Sequence, residues 1–210
     1  MGRNLGSSCK LCRRESMKLM LKGIRCETSK CPIEKRQRNA APGMHGWRRG
    51  RGSDYGVRLR EKQKVKRYYG VAEKQFSHYF AKAERTKGNT GEILLTLLER
   101  RLDNVVYKLN FAPSRKAARQ LIAHGHIHVN GRKVDIADYT INIGDKLTLK
   151  ASDKSKKKIK EQLEINPNFT TQGWLQLDVS TPSATVVALP SRDDVQLPID
   201  EQLVIEFCSR

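Results

Sequence analysis

The sequence predicts an α+β chain made of a cysteine-rich N-terminal module, a helical middle and a helix–helix–β-hairpin unit. Three observations carry this expectation. Cys9, Cys12, Cys26 and Cys31 stand in the pattern Cys-x2-Cys-x13-Cys-x4-Cys. Apolar residues recur at helical spacing from Phe76 to Leu109. Asn130-Gly131, a dipeptide suited to a two-residue hairpin turn, separates His126-Ile127-His128-Val129 from Arg132-Lys133-Val134.

Charge narrows the function. The 210 residues carry 41 Lys and Arg against 22 Asp and Glu, a formal net charge of +19. Self-repulsion of that size disfavours a compact state unless a polyanion offsets it. Nucleic acid and an anionic membrane surface both qualify. No apolar run approaches the roughly 18 residues of a spanning helix, and the N-terminus lacks the apolar stretch of a signal peptide. Gly6 stands where a myristoylation signal wants Ser or Thr. Nucleic acid leads. The first 70 residues hold 20 basic side chains against 5 acidic, and the last 40 hold 2 against 6. The first third therefore reads as a cationic arm, the end as a segment that packs on protein or meets a basic partner. With 38% hydrophobic and 6% aromatic residues, each core must be small.

In the first module, the Cys9–Cys12 spacing lets both sulfurs turn onto one ion. Four thiolates at about 2.3 Å close a tetrahedron suited to structural zinc. Lys18–Gly23 is expected to supply a short strand and turn that return the chain to the metal. Disulfide pairing lacks a secretory signal, a redox dithiol lacks its βαβ context, and chance free thiols are the plain alternative. An iron–sulfur cluster also accepts four cysteines, and spacing alone does not separate it from zinc. A four-cysteine shell leaves no open position, so the metal is expected to order the chain rather than to catalyse. It would hold Arg13, Arg14, Lys22, Arg25 and Lys30 in place. Cys208 reads as an ordinary thiol.

Between Glu34 and Asp54, Pro42 and four glycines preclude a regular element. Arg36, Arg38, Arg48, Arg49 and Arg51 make this a cationic strap, with His45 and Trp47 available to stack on bases. A solvated linker is the bland alternative. Ser53 is expected to cap a helix from Asp54 to about Gly70. Arg58, Lys62 and Lys66 share one of its faces, flanked by Arg60, Lys64 and Arg67. With only Glu61 to offset them, such charges destabilise the free helix. A phosphate backbone alongside would relieve the penalty.

A second helix is expected over 73–87, and a third from Thr90 through Leu109 to about Phe111, its leucines forming core. Pro113 ends that helix and Ser114 caps a short one presenting Arg115, Lys116 and Arg119, which Gly125 closes. The hairpin follows, then Gly144-Asp145 turns into a strand over Lys146–Leu149. Arg115, Lys116, Arg119, Arg132 and Lys133 are thus expected on one edge, able to bridge phosphates and recognise RNA shape more than sequence. His124, His126 and His128 lack neighbouring metal partners, so RNA contact or packing is expected of them.

Residues 99–149 resemble the S4 RNA-binding domain, which also occurs in some pseudouridine synthases and tyrosyl-tRNA synthetases. The cysteine spacing, Pro42-Gly43-Met44-His45-Gly46, the helix after Ser53 and Glu201–Phe207 extend the likeness over nearly the whole chain. Together they resemble the bacterial small-subunit ribosomal protein S4 family. That resemblance implies a cytoplasmic, ribosomal, non-enzymatic protein that binds a multi-helix junction in the 5′ domain of small-subunit rRNA early in assembly. It implies contact with ribosomal protein S5 at an interface tied to decoding accuracy, and a place beside S3 and the mRNA entry path. It implies a metal module over 1–45, a helical domain from 46–98 and 185–210, and an inserted RNA-binding domain over 99–184, its core over 99–149 followed by a helix and strands. The chain departs from the family in having Cys208 where Tyr is usual, in Trp47, and over 170–185.

Two other classes compete. Arg101-Leu102-Asp103 echoes the pseudouridine synthase motif with its nucleophilic Asp, but too few residues follow the hairpin unit for a separate catalytic domain. A zinc-containing DNA regulator would need a recognition helix, and none of zinc-finger or homeodomain type is evident.

Overall fold

Two units, each with its own core, organise the chain: residues 1–94 with 196–210, and residues 95–195. The computed structural model describes residues 4–35, 40–46, 52–150, 153–165, 170–178 and 181–209. In chain order the elements are α1 (Ser8–Arg14), a 3-10 turn (Gly23–Cys26), α2 (Asp54–Tyr69), α3 (Glu73–Arg85), α4 (Thr90–Glu99), α5 (Leu102–Lys108) and α6 (Arg115–Ala123). There follow β1 (Ile127–Val129), β2 (Arg132–Lys133), β3 (Lys146–Leu149), α7 (Asp153–Ile165), β4 (Leu175–Asp178), β5 (Ser183–Val186) and α8 (Glu201–Cys208). The units divide at 94/95 and 195/196, whereas the sequence suggested 98/99 and 184/185, and the cysteine segment falls within the helical unit.

Local chemistry sets both ends of α2 and the start of α8 in the first unit. The Ser53 hydroxyl accepts a hydrogen bond from the Gly56 N–H at 3.2 Å, and Gly70 closes α2 at φ +67°. α3 buries Phe76, Tyr79, Phe80 and Ala83, one stripe at helical spacing. The Asp200 carboxylate caps α8 through the Gln202 and Leu203 N–H groups at 3.0 and 3.4 Å. α8 lies along α2, where the Tyr55 and Phe207 rings are 5.4 Å apart and the Lys62 ammonium sits 4.8 Å from the Phe207 ring. The strand expected over Lys18–Gly23 does not form. Positive φ angles at Ser16, Met20 and Gly23 coil the chain there instead.

The single helix expected from Thr90 to Phe111 is broken in two. Arg101 is extended (φ −66°, ψ 135°) and forms an isolated β-bridge with Thr140. Backbone carbonyls of Tyr139 and Ala137 accept from the Leu102 and Asp103 N–H groups at 2.9 and 3.2 Å, satisfying the first turn of α5. Tertiary hydrogen bonds thus override a periodic pattern.

The second unit is built on an antiparallel sheet with strand order β2-β1-β3-β5-β4. Asn130 and Gly131, at φ +51° and +78°, form the two-residue turn, which sets Val129 opposite Arg132 and His128 opposite Lys133. β4 and β5, among the strands expected after residue 149, join the hairpin and β3 in one sheet. Leu102, Val105 and Val106 of α5, with Leu109 just after it, join Ala118 and Ile122 of α6 over Ile127, Val129, Leu147, Ala184 and Val186. Ile159 anchors α7 into the same core. Among the described residues no helix is long and apolar enough to cross a membrane.

Candidate nucleic-acid interface

The cations of α2 are not left unpaired. Arg58 pairs with Glu206 at 2.7 Å, Lys62 and Lys66 both pair with Glu73, and Lys64 pairs with Glu61. Arg60 and Arg67 share one oxygen of Glu15, Arg60 at 3.2 Å. The expectation that only Glu61 offsets this helix is therefore corrected, because carboxylates from α3, α8 and the end of α1 complete it. Hydrogen bonds from Lys62 and Lys66 overcome burial and hold the Glu73 carboxyl below its usual range. For Glu15 burial wins: its side chain is 0% exposed, and its carboxyl is pushed up against the pull of Arg67 and Arg60.

The cysteine segment is tied to this helix through Glu15. Cys9 and Cys12 lie three residues apart on α1, Cys26 ends the 3-10 turn, and Cys12, Cys26 and Cys31 are buried. Burial pushes the Cys12 and Cys26 thiols up, against backbone N–H groups of Leu19 and Lys22 directed at their sulfurs. The Lys22 N–H reaches the Cys26 Sγ at 3.3 Å. Cys9, Cys26 and Cys31 are close enough to raise Cys12 further. Among the described residues, no three His, Cys, Asp or Glu side chains stand in a metal-holding group. What fits a thiolate site is narrower: backbone amides face the Cys12 and Cys26 sulfurs, the donors that a ligating thiolate accepts from.

Cations of the first unit divide in two. Arg13 and Arg14 donate to the Ala40 and Pro42 carbonyls at 3.3 and 3.1 Å, so they hold the loop over 40–46. Lys22, Arg25, Lys30 and His45 are exposed. Arg36, Arg38, Trp47, Arg48, Arg49 and Arg51, expected in the strap, lie outside the described residues.

In the second unit Lys116 and His124 are exposed on and just after α6, Arg119 is half-buried, and Arg132 and Lys133 are exposed on β2. The Lys133 stem crosses Gly125, whose φ of +70° ends α6 and where an added Cβ would meet that stem. The helix end and the hairpin are thereby locked together. Arg115 is the correction: it is buried, donates from Nε to the Asn104 Oδ1 at 2.8 Å, and stacks 4.5 Å over the Tyr107 ring. It ties α6 to α5 because the first turn of α6 faces the core, and it does not join the exposed edge. Asp103, the residue echoing a catalytic motif, is likewise buried and held bidentately by Arg101 at 3.1 and 2.9 Å.

Sequence reasoning missed Glu15, Glu73 and Glu206 as organisers of the α2 face. One signal was available: Glu15 is the only acidic residue among the first 26.

Comparison with known proteins agrees with this geometry. Residues 3–99 match the description "Ribosomal protein S4/S9 N-terminal domain", and residues 100–147 match "S4 domain". A protein named small ribosomal subunit protein uS4 from Desulfitobacterium hafniense is 53% identical over 211 residues. Its namesakes from Thermodesulfovibrio yellowstonii and Halothermothrix orenii are 52% and 51% identical over 210 residues. All of this chain and all of each relative are covered. With a cationic helix–hairpin edge and full-length relatives of that name, the chain belongs to the ribosomal protein S4 family, whose members are structural, non-enzymatic ribosomal components.

Proposed function

We propose that this chain is a structural constituent of the small ribosomal subunit in the cytoplasm and a primary binder of its rRNA. In this reading it organises the 5′ domain early in assembly. It also abuts proteins S5 and S3 near the mRNA entry path and supports decoding accuracy with S5. The observation that carries the RNA-binding part is the exposed set Lys116, His124, Arg132 and Lys133, fixed by the Gly125 crossing on a domain of the S4 type. Such a rigid cationic edge suits phosphates of folded RNA more than base edges of a duplex.

If roughly ten phosphates are neutralised, log K for small-subunit rRNA falls against log salt with a slope of about −7 to −9. Filter binding across a salt series reads it. A slope shallower than about −3, or equal affinity for duplex DNA, would overturn the reading.

Cys9, Cys12, Cys26 and Cys31 would hold a structural zinc ion, whose contribution is to fix the segment's fold. What supports this is three buried thiols and the amide groups aimed at Cys12 and Cys26. Chelation is expected to raise hydrogen exchange across residues 8–31 while the sheet over 127–149 stays protected. Exchange rising equally in both places would count against a local metal site.

A further inference from the structure

We infer that Glu15 builds a two-arginine phosphate site: its buried carboxylate holds Arg60 and Arg67 side by side so that both guanidinium groups meet one stretch of RNA backbone. The inference rests on the RNA-binding reading above and adds to it a positioning residue that is itself an acid.

Arg60 and Arg67 are seven residues apart on α2, two turns along one face. Their NH1 groups converge on a single oxygen, Oε1 of Glu15. Two cations this close repel, and a carboxylate between them removes that penalty while taking only one nitrogen from each fork. The side chains remain 36% and 20% exposed. Glu15 is 0% exposed, and its Oε2 is buried with no hydrogen-bond partner among the described residues. A charge buried with half its acceptors unused is a poor device for stability, since desolvation cancels much of the attraction. Orientation is the better account of it.

Glu15 is itself held. It follows α1 directly, and its N–H donates to the Leu11 carbonyl at 3.2 Å, one residue before Cys12. The folded cysteine segment thus supplies a fixed base for the carboxylate. The partner is a phosphodiester chain and not a free anion, because Lys64, four residues on from Arg60 and three before Arg67, extends the cationic row on the same face of α2.

The alternative is masking, in which Glu15 only cancels two positive charges. The two accounts predict opposite signs. In full-length protein, Glu15→Gln adds one net positive charge at constant volume. If Glu15 positions the arginines, rRNA affinity falls about tenfold at 0.1 M salt, with a slope shallower by about 1 to 2. In an Arg60→Ala/Arg67→Ala background the same substitution then changes nothing. Tighter binding with a steeper slope would establish masking and overturn the inference, as would an equal loss in both backgrounds. Should Glu15→Gln not fold, Arg60→Lys/Arg67→Lys decides the matter. Net charge is kept but the fork is lost, so affinity must still fall, and wild-type affinity would refute the site. Failure of the wild-type chain to bind rRNA at all is a separate result, and it would sink the RNA reading itself.

Discussion

Replacing Arg101 by alanine is expected to lower the stability of the 95–195 unit by about 3–5 kcal/mol, enough to unfold most small domains. Arg101 is fully buried. Its Nε and NH2 hold both oxygens of Asp103, which is 2% exposed, and its NH1 pairs with Asp138. Alanine would leave the Asp103 charge buried and alone, and would also empty the space between α5 and the loop over 137–140. The cost lies in the orphaned charge more than in the lost attraction. Arg101→Met with Asp103→Leu should therefore recover most of it. Urea unfolding of the two variants reads the difference. If the double variant is no more stable than Arg101→Ala, packing and not charge would be the cause.

The second large effect falls on binding. Changing Lys116, Arg119, Arg132 and Lys133 together to alanine removes up to four phosphate contacts, each worth about 0.9 in salt slope. Affinity for small-subunit rRNA should then fall about a thousandfold at 0.1 M salt, and the slope should flatten by about 3. Arg115 is kept out of this set because it is buried against Asn104 and Tyr107, and its loss would read as instability. Retention of wild-type affinity by the quadruple variant would move the interface away from the helix–hairpin edge.

How much of this was legible in the sequence depends on the range of the interaction concerned. Ser53 and Ser114 act on amides three residues away, and both cap helices where the sequence placed helix starts. Asn130-Gly131 sets its own turn, and the hairpin follows from it. The break at Arg101 was hidden, because the groups that cause it are carbonyls of Ala137 and Tyr139, delivered by the fold. The partners of α2 were hidden for the same reason: Glu206 is 148 residues from Arg58. A basic stretch looks uncompensated until the chain brings distant carboxylates to it. The burial of Arg115 came down to the facing of one helical turn, which an arginine at a helix start does not reveal. Strands after residue 149 were expected, but the pairing of β4 and β5 was hidden, because it depends on β3 already being in place.

The first unit is assembled from both ends of the chain, and this imposes an order in time. Synthesis delivers Tyr55 and Arg58 long before Phe207 and Glu206, the residues that cover and neutralise them. Domains close as they emerge, so the whole 95–195 unit is made while the outer face of α2 still lacks its lid. A nascent chain caught in that interval therefore carries a barer, more positive α2 than the finished protein does.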